Sequence, residues 1–202
     1  MNKGTSVLGL GIGTLAAYGQ KNDVMRFYEI NPDVIRLAEG QGGYFSYLSD
    51  CPCQVITVLG DARISLEREL SEGQQTKALD MLIIDTFNSD SIPVHLLTQQ
   101  AFEIYLQRLQ TDGIIALHVT NRHLDLLPVV RQLAETHQLG GIVIENDGDN
   151  QRHYTSTWVL LSRDESLFQL STISDRGYAI EDIRAQVHLW TDDYNNLFQI
   201  LK

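Results

Sequence analysis

Hydrophobic positions along the chain alternate between short strand-like runs and helix-like stretches. The runs "SVLGL", "VMRFYEI" and "QVITVL" are rich in β-branched and aromatic residues and predict the first three strands. The continuous apolar run "LDMLIID" (79–85) predicts a strand that is covered on both faces. In "NPDVIRLAEG", Asn31 can cap a helix, Pro32 suits its first turn and Gly40 suits its end.

The same alternation continues to residue 162. We predict helices at 14–18, 61–70, 94–109 and 126–137, and further strands at 113–121, 141–146 and 154–162. Successive strand–helix units favour an open, mostly parallel α/β sheet with right-handed crossovers. Only the polar loop "DGDNQRH" separates the last two strands. Because that loop is too short for a parallel crossover, these strands form an antiparallel pair.

The predicted fold is therefore a Rossmann-like, seven-stranded α/β sheet with one antiparallel strand, at 154–162, on its far edge. S-adenosylmethionine-dependent transferases have this architecture. We assign residues 1–163 to a nucleoside-binding transferase domain and residues 164–202 to a C-terminal tail that packs on the same domain. A length of 202 residues agrees with one domain and a substantial core.

Charge and cysteine content narrow the function classes. The formal net charge of −11 argues against a nucleic-acid partner, which usually needs a basic surface. The sequence has neither an apolar run of membrane-spanning length nor a signal peptide, so we expect a cytoplasmic location. We interpret Cys51 and Cys53 as plain thiols in a loop, because two thiols alone cannot complete a zinc site. Free thiols agree with a reducing compartment. His95 and His153 have no matching ligand set, so no metal is expected.

Three glycines follow the first strand, where a parallel sheet binds its ligands. Gly9, Gly11 and Gly13 form the pattern G-x-G-x-G. A dinucleotide-binding loop has the pattern G-x-G-x-x-G, and its third glycine would stand where this chain has Thr14. The pattern favours an adenosyl sulfonium ligand over NAD. The alternative is a tight strand–helix turn without a ligand.

Three acids end or follow the next strands. Glu29 lies 20 residues after Gly9 (29 − 9), where a carboxylate can accept both ribose hydroxyls; the alternative is a solvated strand-end acid. Asp61 can cap the next helix or accept a hydrogen bond from the adenine amino group. Asp85 can accept a proton from an amine nucleophile or cap its loop. His118 and Asn121 lie at the end of the fifth strand, where a histidine is more often a wall residue than a catalyst.

The chain resembles the spermidine/spermine synthase family in "VLGLGIGTL", "FYEINPDVIRLA", "VLGDAR", "LIIDTFNSDSIPVHLLTQQAF" and "TDGIIALHVTN". The resemblance covers residues 6–162 and is strongest to a spermidine-synthase-like branch often joined to a membrane region. It implies a nucleoside site and a proton-accepting acid. The residues implied for the nucleoside are Gly9, Gly11, Gly13, Glu29, Asp61 and Ala62, and the acid is Asp85.

The chain departs from the family at two acidic positions. Synthases carry an acid in the glycine loop, where this chain has Ile12, and a second acid three residues after the catalytic one, where it has Asn88. Each charge-assisted contact to the polyamine is worth about 1.5–3 kcal/mol. Asp90 could compensate only from a shifted position, so Asn88 and Asp90 are the substrate-binding candidates. The family's amino-terminal β-rich segment is absent, and we expect a fragment or a trimmed relative.

The resemblance predicts a transferase that binds S-adenosylmethionine or its decarboxylated form and transfers an aminopropyl group to a small amine. One alternative is an S-adenosylmethionine-dependent methyltransferase acting on another small acceptor. A second alternative is a non-catalytic nucleoside-binding domain. Expected partners also include a second copy in a homodimer and a covalently linked membrane region in a longer protein.

Overall fold

A single eight-stranded sheet organises the computed structural model, which describes residues 3–73, 78–86, 93–148, 155–183 and 187–202. Its strand order is β3-β2-β1-β4-β5-β7-β6-β8. The first five strands are parallel to one another. The strands are β1 (Gly4–Leu8), β2 (Val24–Glu29), β3 (Gln54–Leu59), β4 (Leu79–Ile84), β5 (Leu109–His118), β6 (Gly140–Asn146), β7 (Ser156–Ser162) and β8 (Gly177–Ala179).

The reversed strand is the main confirmed feature of the predicted topology. β7 pairs antiparallel with both β5 and β6. Two details of the prediction are wrong. β7 lies between β5 and β6 rather than at the far edge, because the crossover from β5 leaves one position open and the chain folds back into it. The sheet also has an eighth strand, β8, which pairs antiparallel with β6 and is too short for a periodic signal.

Six α-helices and several 3₁₀ turns connect these strands in the described part of the chain. The helices are α1 (Pro32–Ala38), α2 (Tyr47–Asp50), α3 (Ala62–Ser71), α4 (Gln99–Arg108), α5 (Leu127–His137) and α6 (Ser171–Ser174). Asn31 caps α1 by accepting a hydrogen bond from the Asp33 amide, as predicted. The segment Thr14–Tyr18 is a 3₁₀ helix.

The predicted helix at 94–109 is wrong in its extent. Residues Val94–Leu96 form a 3₁₀ turn, and α4 starts only after Thr98, whose hydroxyl accepts a hydrogen bond from the Ala101 amide. A side-chain cap of this kind sets where a helix begins, whatever the apolar spacing before it. Leu109 already belongs to β5, which ends at His118 instead of residue 121.

The two faces of the sheet are packed unequally. One face carries α3, α4 and α5, and its core contains the fully buried Leu66, Phe102 and Leu133. The opposite face has a smaller core, in which Phe27 packs with Leu48 of α2. Burial of this apolar area is the main source of stability, at roughly 25 cal/mol per Å².

A buried ion cluster joins β2 to α3 and α4. The Glu69 carboxylate, 4% exposed, accepts hydrogen bonds from Arg26 and Arg108, each at 3.1 Å. The Tyr28 hydroxyl lies 3.0 Å from the same carboxylate. Burial and the Glu69 carboxylate raise the pKa of Tyr28 above its usual range. Truncating one partner would leave a buried charge unpaired, which typically costs about 3–5 kcal/mol.

The C-terminal segment contributes to the same core. Trp190 is fully buried there, and its carbonyl accepts a hydrogen bond from the Gln99 amide at the start of α4. Leu201 forms an isolated antiparallel bridge with Leu124, after β5. The division into residues 1–163 and a tail at 164–202 stays a prediction.

The thiol interpretation of the cysteines is wrong. Cys51 and Cys53 are joined by a disulfide across Pro52, and their Cα atoms lie 5.2 Å apart, within the range that a disulfide spans. Both sulfur atoms lie against Gly19, where a Cβ would overlap them. The bridge therefore packs against the end of the 3₁₀ helix that follows the glycine loop. The cytoplasmic location stays a prediction.

Two properties of the described residues bear on function. None of their helices combines the length and apolar character needed to cross a bilayer. No group of three or more metal-ligating side chains lies together within the same ranges.

Candidate active site

A cleft of about 580 Å³ opens at the carboxyl ends of the parallel strands β1, β2 and β4. Because the carboxyl ends of parallel strands meet at one edge, residues that are far apart in sequence become neighbours there. Of the predicted site residues, those that line the cleft are Gly9, Gly11, Glu29, Asp61, Ala62 and Asp85. Ala62 is the first residue of α3 and is nearly buried in the cleft wall.

The glycine loop is tied to both neighbouring strands. The Gly9 amide donates to the Tyr28 carbonyl, and the Asp85 amide donates to the Leu8 carbonyl, both at 2.9 Å. Gly9 has a φ of +96°, and a Cβ there would overlap the Asp85 carbonyl oxygen. A glycine is therefore required at this position for two independent reasons.

The third glycine serves packing rather than the cleft wall. Gly13 has a φ of +84° and adjoins Leu48, which lies 2.7 Å from where its Cβ would be. Gly13 thus lets α2 pack closely on the loop and is not among the described residues that line the cleft.

Glu29 is held by main-chain amides. The Leu10 amide donates to its Oε2 at 3.3 Å, and the Asn31 amide donates to its Oε1 at 2.9 Å. Each carboxylate oxygen has a second lone pair for a further donor. The carboxylate therefore joins the glycine loop to the start of α1 and remains able to accept two hydroxyl groups.

Asp61 caps α3, as predicted, and makes a second contact that the sequence did not reveal. Its Oδ1 accepts a hydrogen bond from the Ile64 amide at 3.0 Å and so caps α3. Its Oδ2 lies 2.8 Å from Nε2 of His95. Burial acts to raise the pKa of Asp61, but the Ile64 and His95 hydrogen bonds outweigh it and hold that pKa below its usual range. An adenine amino group would share this carboxylate with His95.

Asp85 lies at the end of β4 on the far side of the glycine loop from Asp61. Its Oδ1 is 2.8 Å from Nδ1 of His118, on the neighbouring strand β5. The Asp85 side chain is 37% exposed, so it can contact a ligand in the cleft. The His118 ring stacks on Trp158 of β7, with ring centroids 4.7 Å apart and an interplanar angle of 8°.

Beside His95, a second and more open cleft of about 470 Å³ lies between α3 and the tail. Arg63 forms a bidentate ion pair with Asp192 there, both contacts at 2.6 Å. Hydrogen bonds from Arg63 hold the pKa of Asp192 below its usual range. Arg63 also donates to the His95 carbonyl at 3.0 Å, so the tail supports the residue that contacts Asp61.

At the two positions where the family carries an acid, this chain has Ile12 and Asn88. Ile12 occupies the position in the glycine loop and is 40% exposed. Asn88 and Asp90, the predicted substrate-binding residues, lie outside the described residues, as does His153.

In sequence, the chain is similar to the polyamine aminopropyltransferase of Vibrio vulnificus (strain CMCP6). The two are 31% identical over 114 residues, which are 54% of this chain and 35% of that protein. The chain resembles the polyamine aminopropyltransferases. No family model matches it.

Solved structures show the same Rossmann-like fold. Spermidine synthase from Thermotoga maritima has a TM-score of 0.57 and 16% identity, over 80% of this chain and 54% of that one. A spermidine synthase in complex with the transition-state analogue AdoDATO has a TM-score of 0.55 and 16% identity. The match covers 80% of this chain and 53% of that one. Human methyltransferase-like protein 13 in complex with SAH has a TM-score of 0.62 and 18% identity. The match covers 96% of this chain and 87% of that one.

The chain therefore spans about half the length of these spermidine synthases, and its match to the curated relative spans about a third. Contacts made by His95, His118, Trp158 and Asp192 were not identified from sequence. Only the position of His118 at the end of a buried strand pointed toward the site.

Proposed function

We propose that the chain binds a sulfonium nucleoside, S-adenosylmethionine or its decarboxylated form, in the cleft. In the proposed reaction it transfers the aminopropyl group of the decarboxylated form to a small amine. The observation that carries this proposal is the meeting of three carboxylates, Glu29, Asp61 and Asp85, around the glycine loop. Three acids in one cleft favour a cationic co-substrate, and a sulfonium nucleoside is a cation. The spermidine synthase that binds AdoDATO and the methyltransferase-like protein that binds SAH share the fold.

Glu29 and Asp61 take the nucleoside in this proposal. The Glu29 carboxylate accepts the two ribose hydroxyls with the lone pairs that the Leu10 and Asn31 amides leave open. Asp61, with Ala62 beside it, faces the adenine.

Asp85 takes the proton in the transfer step. The amine nitrogen attacks the carbon beside the sulfonium, a C–N bond forms and the C–S bond breaks, and the sulfur leaves as a neutral thioether. The attacking nitrogen gains a positive charge and releases one proton, which Asp85 accepts as general base. The bonds and the proton in this step are accounted for without a metal or a further cofactor.

The acceptor is the least constrained part of the proposal. Ile12 and Asn88 replace the two acids that the resemblance assigns to polyamine binding, so we expect weak or no activity with putrescine or spermidine. A smaller or less charged amine fits a site with fewer carboxylates.

Methyl transfer is the second candidate function. The methyltransferase-like structure covers 96% of this chain, against 80% for the spermidine synthases. The same cleft could deliver the methyl carbon instead of the aminopropyl carbon, and this reaction does not need the missing acids. A nucleoside-binding domain without transfer activity would keep Glu29 and Asp61 but would not need Asp85.

Calorimetry with the purified protein tests the binding step. We expect S-adenosylmethionine or its decarboxylated form, and 5′-methylthioadenosine, to bind, and NAD not to bind. Mass spectrometry of a panel of amines incubated with both sulfonium nucleosides then distinguishes a mass gain by an aminopropyl group from a gain by a methyl group. Folded protein that binds none of these nucleosides would contradict the proposal, and binding without any transfer would favour the non-catalytic alternative.

A further inference from the structure

We propose that His118 is a positioning residue for Asp85 and that Trp158 fixes the plane of the His118 ring. This inference rests on the proposed function, in which Asp85 accepts the proton of the attacking amine. The structural basis is the contact of 2.8 Å between Nδ1 of His118 and Oδ1 of Asp85, together with the nearly parallel stack of His118 on Trp158.

Strand register brings the three side chains together. β4 and β5 are parallel with Ile84 beside Leu117, so the next residues along each strand, Asp85 and His118, are neighbours. β5 and β7 are antiparallel with His118 directly opposite Trp158. Side chains opposite each other on neighbouring strands are in contact distance, so the stack follows from the pairing of the reversed strand.

The direction of the hydrogen bond follows from the chemistry of the two groups. An ionised carboxylate can only accept hydrogen bonds, so Nδ1 of His118 must carry the proton. This bond fixes the rotation of the carboxylate about its last side-chain torsion and engages Oδ1. Oδ2 is then the oxygen that we assign to the proton of the incoming amine.

His118 acts through Asp85 rather than on the substrate. Asp85 and Thr86 line the large cleft, whereas His118 is not among the described residues that line it. The His118 side chain is 25% exposed, and Trp158 covers one face of its ring. A general base must be held within hydrogen-bond reach of its proton, and displacement by about 1 Å can cost 100-fold in rate.

Two substitutions at His118 separate the hydrogen bond from the stack. His118→Phe keeps an aromatic ring against Trp158 but removes the Nδ1–H donor. His118→Asn keeps an N–H donor near the place of Nδ1 but removes the ring. For His118→Phe we expect kcat to fall about 10- to 100-fold while the nucleoside dissociation constant changes less than about twofold.

The His118→Asn variant should keep kcat within about fivefold of the native value, because the hydrogen-bond donor is kept. A purely structural role predicts the opposite order, since the phenyl ring fills the space better than the amide. Thermal unfolding of both variants provides the control for folding. Full activity of His118→Phe, or equal losses in both variants, would overturn the proposal.

A measurement that does not depend on transfer activity tests the His118 proposal separately from the proposed function. In protein labelled with ¹⁵N-histidine, we expect NMR to find the His118 proton on Nδ1, and to find this signal shifted or lost in Asp85→Ala. If the native protein transfers nothing to any acceptor, the proposed function fails, and the NMR result alone decides whether His118 is bonded to Asp85. A proton on Nε2 with Nδ1 unprotonated in the native protein would refute the positioning role.

Discussion

The two halves of the cleft hold their carboxylates in different ways. In the half that we propose for the nucleoside, called the nucleoside half, main-chain amides of Leu10, Asn31 and Ile64 hold Glu29 and Asp61. One side chain adds to them there, since His95 contacts Asp61. In the half that we propose for the transfer step, called the transfer half, the imidazole of His118 contacts Asp85, and the ring of His118 stacks on Trp158. The first arrangement is built mainly by local turns and a helix cap, and the second entirely by side chains that three different strands bring together.

This difference teaches which substitutions each half tolerates. Main-chain amides persist when neighbouring side chains change, so the nucleoside half depends mainly on its two carboxylates. The transfer half depends on the identity of each side chain that supports Asp85. Three substitutions, taken in order of expected effect, test the comparison.

The largest effect is expected for Asp85→Asn. The amide keeps the volume and can still accept a hydrogen bond from His118, but it cannot take a proton. We expect transfer to fall about 10²- to 10⁴-fold, the usual range for a lost general base, with nearly normal nucleoside binding. Rates from single-turnover assays, with calorimetry for binding, provide the measurement.

Asp112→Asn is the matched control, because Asp112 is an exposed acid on the adjacent strand β5 and should leave the rate unchanged. Unchanged transfer in Asp85→Asn would remove Asp85 from the chemistry and would favour methyl transfer to an acceptor that is already ionised.

The next effect is expected for Glu29→Ala in the nucleoside half. Loss of a carboxylate that accepts two hydroxyls should weaken adenosyl ligands by about 2–4 kcal/mol, which is about 30- to 1,000-fold in the dissociation constant. Calorimetric titration measures the change. Glu72→Ala, at an exposed acid after α3, is the control. Unchanged affinity in a folded Glu29→Ala protein would show that the ribose assignment is wrong.

The smallest effect concerns Asp61 and pH. Because the pKa of Asp61 is lowered in the folded protein, its ionised form stabilises the fold above the ordinary carboxylate pKa of 3.8. That stabilisation is lost as the pH falls through the lowered pKa. Asp61→Asn keeps a good helix cap without titrating. We therefore expect the variant to unfold more easily at pH 7 by less than about 1 kcal/mol.

At a pH below the lowered pKa, where Asp61 is protonated, the native protein and Asp61→Asn should have the same unfolding free energy. Urea unfolding at a series of pH values measures both curves. If the unfolding free energies of the two proteins differ by the same amount at every pH, the Ile64 and His95 contacts do not favour the ionised form of Asp61.

The nucleoside half was largely predictable from the sequence, because its elements are local. The strand-end glycines, the acid at Glu29 and the cap at Asp61 each follow a short pattern that main-chain geometry requires. The parallel sheet and its reversed strand followed from periodicity and from the length of one connection.

The supports of the transfer half were not predictable in the same way. The pairing of His118 with Asp85 and its stack on Trp158 depend on strand order, and the sequence does not reveal that β7 lies between β5 and β6. β8 has only three residues, and its pairing depends on the free edge of β6. The Cys51–Cys53 disulfide was missed because a pair of cysteines two apart has no spacing signal of its own.

The positions of the two tryptophans give the protein two built-in fluorescent reporters. Trp158 and Trp190 are the only tryptophans in the sequence. Trp190 is fully buried in the core, so its emission should shift only when the fold opens. Trp158 is stacked on His118, and a protonated imidazole quenches an adjacent indole. Emission from the Trp190→Phe protein would therefore follow events beside Asp85, and emission from the Trp158→Phe protein would follow unfolding, without any attached dye.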